Sequence, residues 1–400
     1  MSRLLALQMI GLLALSSTGS MCSSQTTTPD NQRENAIALE KKGDNIGAES
    51  AWRAFLMTHP RNAEAYAHLG LLEAREEHYA QAVPLYRKAL ALDPKMPGLN
   101  LNLGLSLFKS GALKEAVRTF SSMLDEQSLA PSETQRLDVL IGMSHYGLGE
   151  FAAAVPYLKT AASVDRQSLW IRLTLAQSCL RSKQFPCVLD VYREILALNA
   201  ESAEADMLAG EALDEMRDHA GAIEQFAAAA KVDPKMPNVH FALGYVLWTQ
   251  NRLEEAAKEF TAELANTPDH PQALIYLADV DIKLDNLATA QPLLERAIRS
   301  DPRIELAHLD LGIIYAGRGR KIEALREMKT AEQQNPNDQN VHWHLARFYK
   351  SIGNNEAAKV EFDKTRSVQK AADESIFIKL QQAQDRGKTP SPEIDTPMPQ

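Results

Sequence analysis

Apolar positions recur along most of the chain with the spacing of amphipathic helices, and short polar turns separate them. The segment from His240 to Phe260 is representative, except that its first half carries two apolar stripes on neighbouring helix faces. One stripe contains His240, Leu243, Gly244 and Leu247, and the other contains Phe241, Tyr245 and Trp248. Gly244 costs about 1 kcal/mol relative to alanine in a helix interior. The pattern therefore predicts close backbone packing at Gly244 and leaves the second stripe available for another contact.

Small residues recur every 34 residues, with one interval of 38, and define ten units. They are Ala36, Gly70, Gly104, Gly142, Ala176, Gly210, Gly244, Ala278, Gly312 and Ala346. An alanine follows twelve positions later in every unit except the fifth, which has Val188, and a proline closes many of the units. Proline readily ends a helix. Each unit is therefore predicted to form a repeat of two antiparallel helices that cross closely at the small residues.

The period and the order of small residue, alanine, aromatic residue and proline resemble the tetratricopeptide repeat family. Repeat seven carries Leu243, Gly244, Ala256, Phe260 and Pro268, and repeat two carries Leu69, Gly70, Ala82, Tyr86 and Pro94. The resemblance covers about residues 29–372. It implies an all-α, right-handed superhelical solenoid of about ten antiparallel helix pairs, whose first helices line a concave groove. We place this solenoid at residues 33–372, with a degenerate first repeat because one side of a terminal repeat faces solvent.

Three segments depart from the repeat. Four extra residues lie between repeats three and four, near "DEQSLAPSETQ", and predict a longer surface connection before a helix that starts around Pro131. Residues 373–386 keep helical spacing and are expected to form a separate capping helix over the last apolar face. Residues 387–400 are rich in proline and charge with almost nothing to bury, so they predict a disordered tail.

The N-terminus has the pattern of an export signal peptide at residues 1–20. Arg3 supplies a positive start, residues 4–15 form an apolar core too short to span a bilayer, and small residues permit cleavage after Gly19 or Ser20. An uncleaved anchor and a buried helix are the alternatives. Residues 21–32 are expected to form a flexible linker. The expected location is periplasmic or extracellular, with association to the cell envelope left open.

Cys22 raises the question of a lipid anchor. The residues before it do not fit the motif that precedes the lipidated cysteine of lipoproteins, because Met21 stands where that motif requires a small residue. We therefore expect cleavage upstream of Cys22 and no spanning membrane segment in the mature chain.

The charge and the motifs narrow the classes of function. A net charge of −9 argues against nucleic acid as a general partner. No nucleophile with a base, metal-ligand cluster or phosphate-binding loop has a convincing spacing, so we predict no catalytic residue, no metal and no cofactor. His342 and His344 lie two residues apart on a predicted helix and point to different faces. The "GRGRK" stretch at 317–321 could hold an anion, but ordinary turn chemistry is the simpler interpretation.

Cys179 and Cys187 flank the turn of repeat five, so antiparallel packing brings them near each other. In an exported protein this permits a disulfide. Two buried thiols that pack as small apolar residues are the alternative.

The resemblance places two residues of each first helix on the groove, three before and one after the small position. With further residues along the same faces, the predicted partner-binding groove consists of Leu101, Leu105, Phe108, Val139, Met143, Tyr146, Phe241, Tyr245, Trp248, Leu309 and Ile313. An exposed apolar strip of this length requires a cover. We predict that an apolar or amphipathic segment of a peptide or protein provides it, anchored by aromatic contacts in repeat seven. The alternative is that the solenoid buries the strip between its own helices.

Repeat six is predicted to give this groove an acidic border. The acidic residues are Glu204, Glu211, Asp214 and Glu215, which would favour a basic flank on the partner; a solvated helix face is the simpler interpretation. The basic and asparagine residues that some family members use to hold a C-terminal carboxylate are not evident.

The predicted function is a non-catalytic, exported scaffold within a cell-envelope assembly. A self-associating structural assembler, whose groove holds another copy or its own tail, is the alternative, followed by an enzyme or sugar-binding protein.

Overall fold

The computed structural model describes residues 29–124, 129–198 and 201–386. The predicted signal peptide, Cys22 and the predicted tail lie outside the described residues, as does the linker up to residue 28. The linker prediction does not hold for residues 29–32, because the first helix already begins at Pro29. No helix in the described part of the chain combines the length and the apolar character that crossing a bilayer requires.

The described residues form twenty α-helices and no strand, which confirms the predicted all-α fold of about ten helix pairs. The first compact unit contains α1 (Pro29–Lys42), α2 (Asn45–Thr58), α3 (Ala63–Arg75), α4 (Tyr79–Leu92), α5 (Leu99–Lys109), α6 (Leu113–Leu124), α7 (Pro131–Gly147), α8 (Phe151–Val164), α9 (Leu169–Arg181) and α10 (Phe185–Ala197). The second unit contains α11 (Ala203–Glu215), α12 (His219–Val232), α13 (Val239–Thr249), α14 (Leu253–Asn266), α15 (Pro271–Lys283), α16 (Leu287–Ser300), α17 (Glu305–Gly317), α18 (Lys321–Gln334), α19 (Gln339–Ser351) and α20 (Asn355–Arg386). Odd-numbered helices are the first helices of the repeats, and even-numbered helices are the second.

The glycines at the first small position contact a bulky side chain of the second helix. A Cβ atom on Gly244 would lie 2.8 Å from Cε1 of Phe260, and one on Gly70 would lie 2.7 Å from Cε1 of Tyr86. Both rings are almost fully buried. The helices therefore approach closely at these glycines, as predicted, and the contact is made by the ring four residues after the second small residue.

First helices of neighbouring repeats also touch each other. In the second unit α13 contacts α15 and α17 contacts α19, and in the first unit α3 contacts α5. Among the described residues, no two second helices of adjacent repeats make a comparable contact. The first helices are therefore the more closely packed side of each unit, and side chains between them have neighbours on two helices.

The insertion before repeat four lengthens a helix. α7 has 17 residues, against 13 in α3 and α11, and begins at Pro131 as predicted. The Glu133 carboxylate accepts a hydrogen bond from the Ala130 N–H and caps this start. Because α7 starts earlier relative to its small residue Gly142, the extra residues add about one helical turn to α7.

The last helix corrects the prediction of a separate capping helix. α20 runs without interruption for 32 residues, whereas α18 in the preceding repeat has 14. Residues 373–386 are therefore helical, but they continue the second helix of repeat ten.

Candidate functional site

We use the term first-helix face for the side chains that lie three before, one after and four after the small position of a first helix. All eleven predicted groove residues have these positions, and ten of them are partly buried. Leu309 is the exception, because its side chain is only 4% exposed and packs in the core of repeats eight to ten. The prediction of Leu309 as a groove residue is therefore wrong, and the remaining strip is half-covered by neighbouring helices.

Aromatic rings from two first helices meet on this face in repeats seven and eight. The ring of Tyr276 in α15 lies 5.0 Å from that of Trp248, 5.4 Å from that of Tyr245 and 5.9 Å from that of Phe241, measured between centroids. The predicted aromatic residues of α13 are thus brought together. Tyr276 completes the cluster but was not predicted, because it stands two residues before its small position, where the side chain leans toward the preceding first helix.

The indole of Trp248 is fixed by the next repeat. Its Nε1 donates a hydrogen bond of 2.5 Å to Oδ2 of Asp279. Lys283 Nζ lies 2.8 Å from the same oxygen and 4.2 Å from the Trp248 ring centroid. A partly buried indole N–H requires such an acceptor. The aromatic cluster is therefore a preformed surface with little freedom to rearrange.

Asp310 occupies in repeat nine the position that Tyr276 occupies in repeat eight. Its carboxylate is partly buried, and within the described residues no hydrogen-bond donor or cation contacts it. Burial raises the pKa of Asp310 to about 7, and the charges of Asp279 and Glu305 add to the shift. Burial also raises the pKa of Tyr276, with contributions from Tyr245 and Asp279. The aromatic cluster of repeats seven and eight is therefore followed by an acidic side chain in repeat nine.

Repeat ten continues the face with a different chemistry. Trp343 is 38% exposed, and its ring lies 4.5 Å from the guanidinium of Arg347. The ring of His344 packs edge-on against Trp343 at 4.7 Å. Burial lowers the pKa of His344, and the charge of Arg347 lowers it further. Trp343 was not predicted, although it stands at the same position as Phe241, and this equivalence would have identified it.

The predicted acidic border lies on α11. Glu204, Glu211 and Glu215 are exposed and recur at seven- and four-residue spacing, so they share one side of the helix. Asp214 is half-buried, and its Oδ1 lies 2.9 Å from Nδ1 of His219 in α12. Three of the four residues thus share one side of α11, and Asp214 contacts the second helix of its own repeat.

The predicted groove residues of the first unit form a more modest surface. Leu101, Leu105 and Phe108 pack against the core of repeats two to four. Tyr146 contacts the ring of Phe151 at 5.5 Å. This part of the face offers aliphatic contacts but no aromatic cluster comparable with that of α13 and α15.

Repeat five is bridged by the two cysteines. Cys179 in α9 and Cys187 in α10 are joined as a disulfide, with their Cα atoms 5.9 Å apart. The bond connects the two helices across their turn. The structure thus adopts the first of the two alternatives that the sequence leaves open.

His342 belongs to a polar contact that the sequence analysis missed. Its Nδ1 lies 2.7 Å from Oε2 of Glu361, and its Nε2 lies 2.8 Å from the carbonyl oxygen of Pro336. In repeat nine, His308 makes the same pair of contacts with Glu327 and Pro302, at 2.7 and 3.1 Å. The histidine ties the closing turn of one repeat to the second helix of the next. The recurring spacing of 19 residues between histidine and glutamate is the signal that could have revealed it.

The ligand atoms of Glu332, His342 and Glu361 lie within 4.8 Å of one another, a spacing that a metal ion could use. Both carboxylates are already paired with ammonium groups, because Lys364 Nζ lies 2.7 Å from Glu332 and 3.2 Å from Glu361. Lys329 Nζ lies 2.6 Å from Glu332. A divalent cation would have to displace these charges, so the cluster is better explained as a structural ion-pair network.

The arginines of the "GRGRK" stretch have local partners. Arg318 donates to the Leu287 carbonyl oxygen at 3.1 Å. Arg320 pairs with Glu323 at 3.0 Å and stacks on Tyr315 at 4.2 Å. Gly319 has φ +73°, which favours glycine in the turn. These contacts agree with the interpretation as turn chemistry.

Comparison with known proteins finds tetratricopeptide repeats along the chain. One family model matches residues 33–97, 207–271 and 276–339, and a second matches residues 73–132. Comparison with curated protein sequences gives no significant match.

Solved structures of low identity are also similar. YrrB, described as a TPR protein with an unusual peptide-binding site, is 21% identical, covers 44% of this chain and 92% of its own, and has a TM-score of 0.39. MamA from Desulfovibrio magneticus RS-1 is 20% identical over 43% of this chain and 98% of its own, with a TM-score of 0.40. The Cut9–Hcn1 hetero-tetramer of the APC/C is 12% identical over 86% of this chain and 81% of its own, with a TM-score of 0.40. The two family models together cover more than half of the chain, and the ten helix pairs of the described residues agree with them, so the chain belongs to the tetratricopeptide repeat family.

Proposed function

We propose that this chain is a non-catalytic scaffold that binds a peptide or protein segment along the first-helix face of its second unit. The aromatic cluster of Tyr245, Trp248 and Tyr276 is the observation that carries the proposal. Aromatic rings supply large contact areas at little cost in side-chain entropy, and they dominate the energetics of many interfaces.

The positions of the rings support this proposal. Phe241, Tyr245, Trp248 and Tyr276 are partly buried, so each ring keeps some surface beyond what the fold covers. Trp343 leaves 38% of its surface exposed three repeats further on. A preformed surface of this kind binds a segment without paying for its own rearrangement. The preferred partner is an apolar or amphipathic segment, and the exposed carboxylates of α11 favour a basic flank.

A selection from a random linear peptide library tests the proposal. The full chain is immobilised, and retained peptides are measured again on the variant Tyr245→Ala/Trp248→Ala. We expect about a hundredfold weaker binding, since two aromatic anchors at an interface contribute this much or more. The matched control is Tyr79→Ala/Tyr157→Ala, which removes two partly buried tyrosines from the second helices α4 and α8.

Circular dichroism and thermal melting of both variants complete the test. If the α13 variant loses much of its stability while peptide binding is unchanged, the aromatic stripe is core and the proposal is wrong. Light scattering on the chain with and without residues 387–400 examines the self-associating alternative, in which the chain fills its own face.

We also propose that the chain acts after export, in the periplasm or outside the cell and in association with a cell-envelope assembly. The signal-peptide pattern of residues 1–20 supports this, and a disulfide between Cys179 and Cys187 suits an oxidising compartment. Fractionation of expressing cells, with N-terminal sequencing of the mature chain, tests it. An intact N-terminus in the cytoplasmic fraction would overturn this part of the proposal.

A further inference from the structure

Asp310 is a carboxylate whose neighbours repel it. The charges that raise its pKa are those of Asp279 and Glu305, both of the same sign as the Asp310 carboxylate. Within the part of the chain that the structure describes, neither a donor nor a cation compensates it. A partly buried carboxylate without a partner disfavours the folded state. The fold itself gains nothing from this side chain.

Other carboxylates of the second unit are compensated. Asp279 accepts from the Trp248 indole and pairs with Lys283. Glu263 is fully buried and accepts from two backbone N–H groups. Glu361 pairs with His342. Asp310 differs from these three carboxylates, because within the described residues it has neither a hydrogen-bond donor nor a cation as partner.

Asp310 lies in α17, two residues before the small residue Gly312. Tyr276 has the equivalent position one repeat earlier, where it contacts Tyr245 and Trp248 of the preceding first helix. By the same register Asp310 leans toward α15, which agrees with the effect of Asp279 on it. Tyr276 and Asp310 thus occupy equivalent positions in two consecutive repeats.

We propose that Asp310 is a subsite for a lysine or arginine side chain of the bound segment. The inference rests on the proposed peptide-binding function and names the chemistry of the partner. The Asp310 carboxylate supplies a negative charge that no cation of the described residues pairs with. A cation of the bound segment would offset the repulsion from Asp279 and Glu305. The occupant is a peptide segment that places an aromatic or aliphatic residue on the Tyr245–Trp248–Tyr276 cluster and its cation at Asp310.

The geometry also sets a spacing within that segment. Packed helices lie about 8–10 Å apart, and an extended chain advances about 3.3 Å per residue. The cation should therefore follow or precede the aromatic residue by about three positions. Lys283 pairs with Asp279 and the Trp248 ring and not with Asp310.

Synthetic peptide pools test the subsite. Each pool contains random linear peptides with a fixed tryptophan, and the residue three positions away is fixed as lysine, arginine, norleucine or glutamate. Norleucine keeps the aliphatic length of lysine without the charge. Retention of each pool is measured on the immobilised full chain, on Asp310→Asn and on Glu224→Gln, which removes an exposed carboxylate from the second helix α12.

We expect the lysine and arginine pools to be retained about tenfold better than the norleucine pool on the unaltered chain, as for a charge-assisted hydrogen bond. Asp310→Asn should abolish this preference, and Glu224→Gln should preserve it. If all pools bind equally and Tyr245→Ala/Trp248→Ala abolishes their binding, the subsite is wrong and the peptide-binding function stands. If no pool binds the unaltered chain, the proposed function fails and the subsite with it.

Discussion

The imidazole of His342 joins the closing turn of repeat nine, at Pro336, to Glu361 in the second helix of repeat ten. Its Nδ1 lies 2.7 Å from Oε2 of Glu361 while its Nε2 lies 2.8 Å from the Pro336 carbonyl oxygen, and both side chains are buried. Both ring nitrogens thus face acceptors. The contact links the turn after α18 to α19 and α20, and the ion pairs of Lys364 with Glu332 and of Lys329 with Glu361 lie beside it.

Removal of the carboxylate should loosen repeat ten. Glu361→Ala leaves the buried Nδ1 of His342 without its carboxylate partner, and we expect a local loss of about 3 kcal/mol. Because repeat proteins lose stability unit by unit, hydrogen exchange of individual amides is the appropriate measurement. Amides of α19 and the first half of α20 should exchange faster, while those of α11 to α14 stay unchanged. Unchanged protection in α19 would show that the ion pair contributes nothing.

Gly244 should be sensitive to an added methyl group. In Gly244→Ala the new Cβ would lie 2.8 Å from Phe260 and 3.2 Å from Glu259 Cβ, so the helices must separate. We expect a net loss of about 1–3 kcal/mol, although alanine is the better helix former. The control is Gly317→Ala, since a Cβ at Gly317 meets nothing within 4 Å. Chemical denaturation should show a clear loss for the first variant and no loss for the second.

The fold could be predicted from the sequence because its signals are local and repeated. The interval of 34 residues fixes which helices pair, and the glycine at position 244 reports a close contact that Phe260 supplies. The site could be predicted only in part. Exposure on the first-helix face depends on how neighbouring first helices cover each other, and for that reason Leu309 belongs to the core and Trp343 to the surface.

Contacts between repeats were the hardest to foresee. Asp279 was not singled out, yet it fixes Trp248 from the next repeat at a separation of 31 residues. One contact within a repeat was missed as well, since the Glu263 carboxylate of α14 accepts from the backbone N–H groups of Asn238 and Phe241 at the start of α13. Comparison of one repeat with the next reveals the residues that the repeats share. Asp279 and Glu263 are not shared in this way, and each acts through a partner on another helix.

Glu263 should be required to hold the start of α13. Asn238 has φ +66° and its side chain does not cap the helix, whereas the Glu263 oxygens accept from Asn238 N–H and Phe241 N–H at 3.2 Å each. These donors would otherwise lack intrahelical partners. Glu263→Ala introduces the residue found at this position in several other repeats, yet we expect a loss of about 2 kcal/mol because two donors become unsatisfied.

The matched variant for this position is Glu263→Gln, which keeps an acceptor and the side-chain volume. It should lose roughly half as much stability as Glu263→Ala, since the interaction with the positive helix end is weaker without the charge. Thermal unfolding followed by circular dichroism measures both. Equal melting of Glu263→Ala and the unaltered chain would contradict the capping role.

The disulfide should stabilise repeat five. The bond between Cys179 and Cys187 closes a loop with a sequence separation of 8, which in the chain-entropy account contributes about 2–3 kcal/mol. Mass spectrometry after alkylation should find both thiols blocked before reduction and both alkylated after it. Cys179→Ala/Cys187→Ala should then lower the free energy of unfolding, and addition of a thiol reductant should lower that of the unaltered chain but not of the variant.

Asp310 gives a prediction in which a substitution stabilises the protein. Its pKa is raised to about 7 in the folded chain, against an ordinary value of 3.8, so the folded state holds its proton more tightly than the unfolded state. Between these two values the unfolded chain binds fewer protons, and the free energy of unfolding therefore decreases as the pH rises. The penalty is complete above about pH 7.

Asp310→Asn cannot ionise, so at pH 8 it should exceed the unaltered chain by about 2–4 kcal/mol in the free energy of unfolding. At pH 4 the two chains should be nearly equal, since Asp310 is then protonated and similar in shape to asparagine. Urea denaturation across this range measures the difference, with Glu224→Gln as a control that should show no such dependence. If the advantage of Asp310→Asn is the same at pH 4 and pH 8, the carboxylate is not held in an unfavourable ionised state and the charge argument for its role fails.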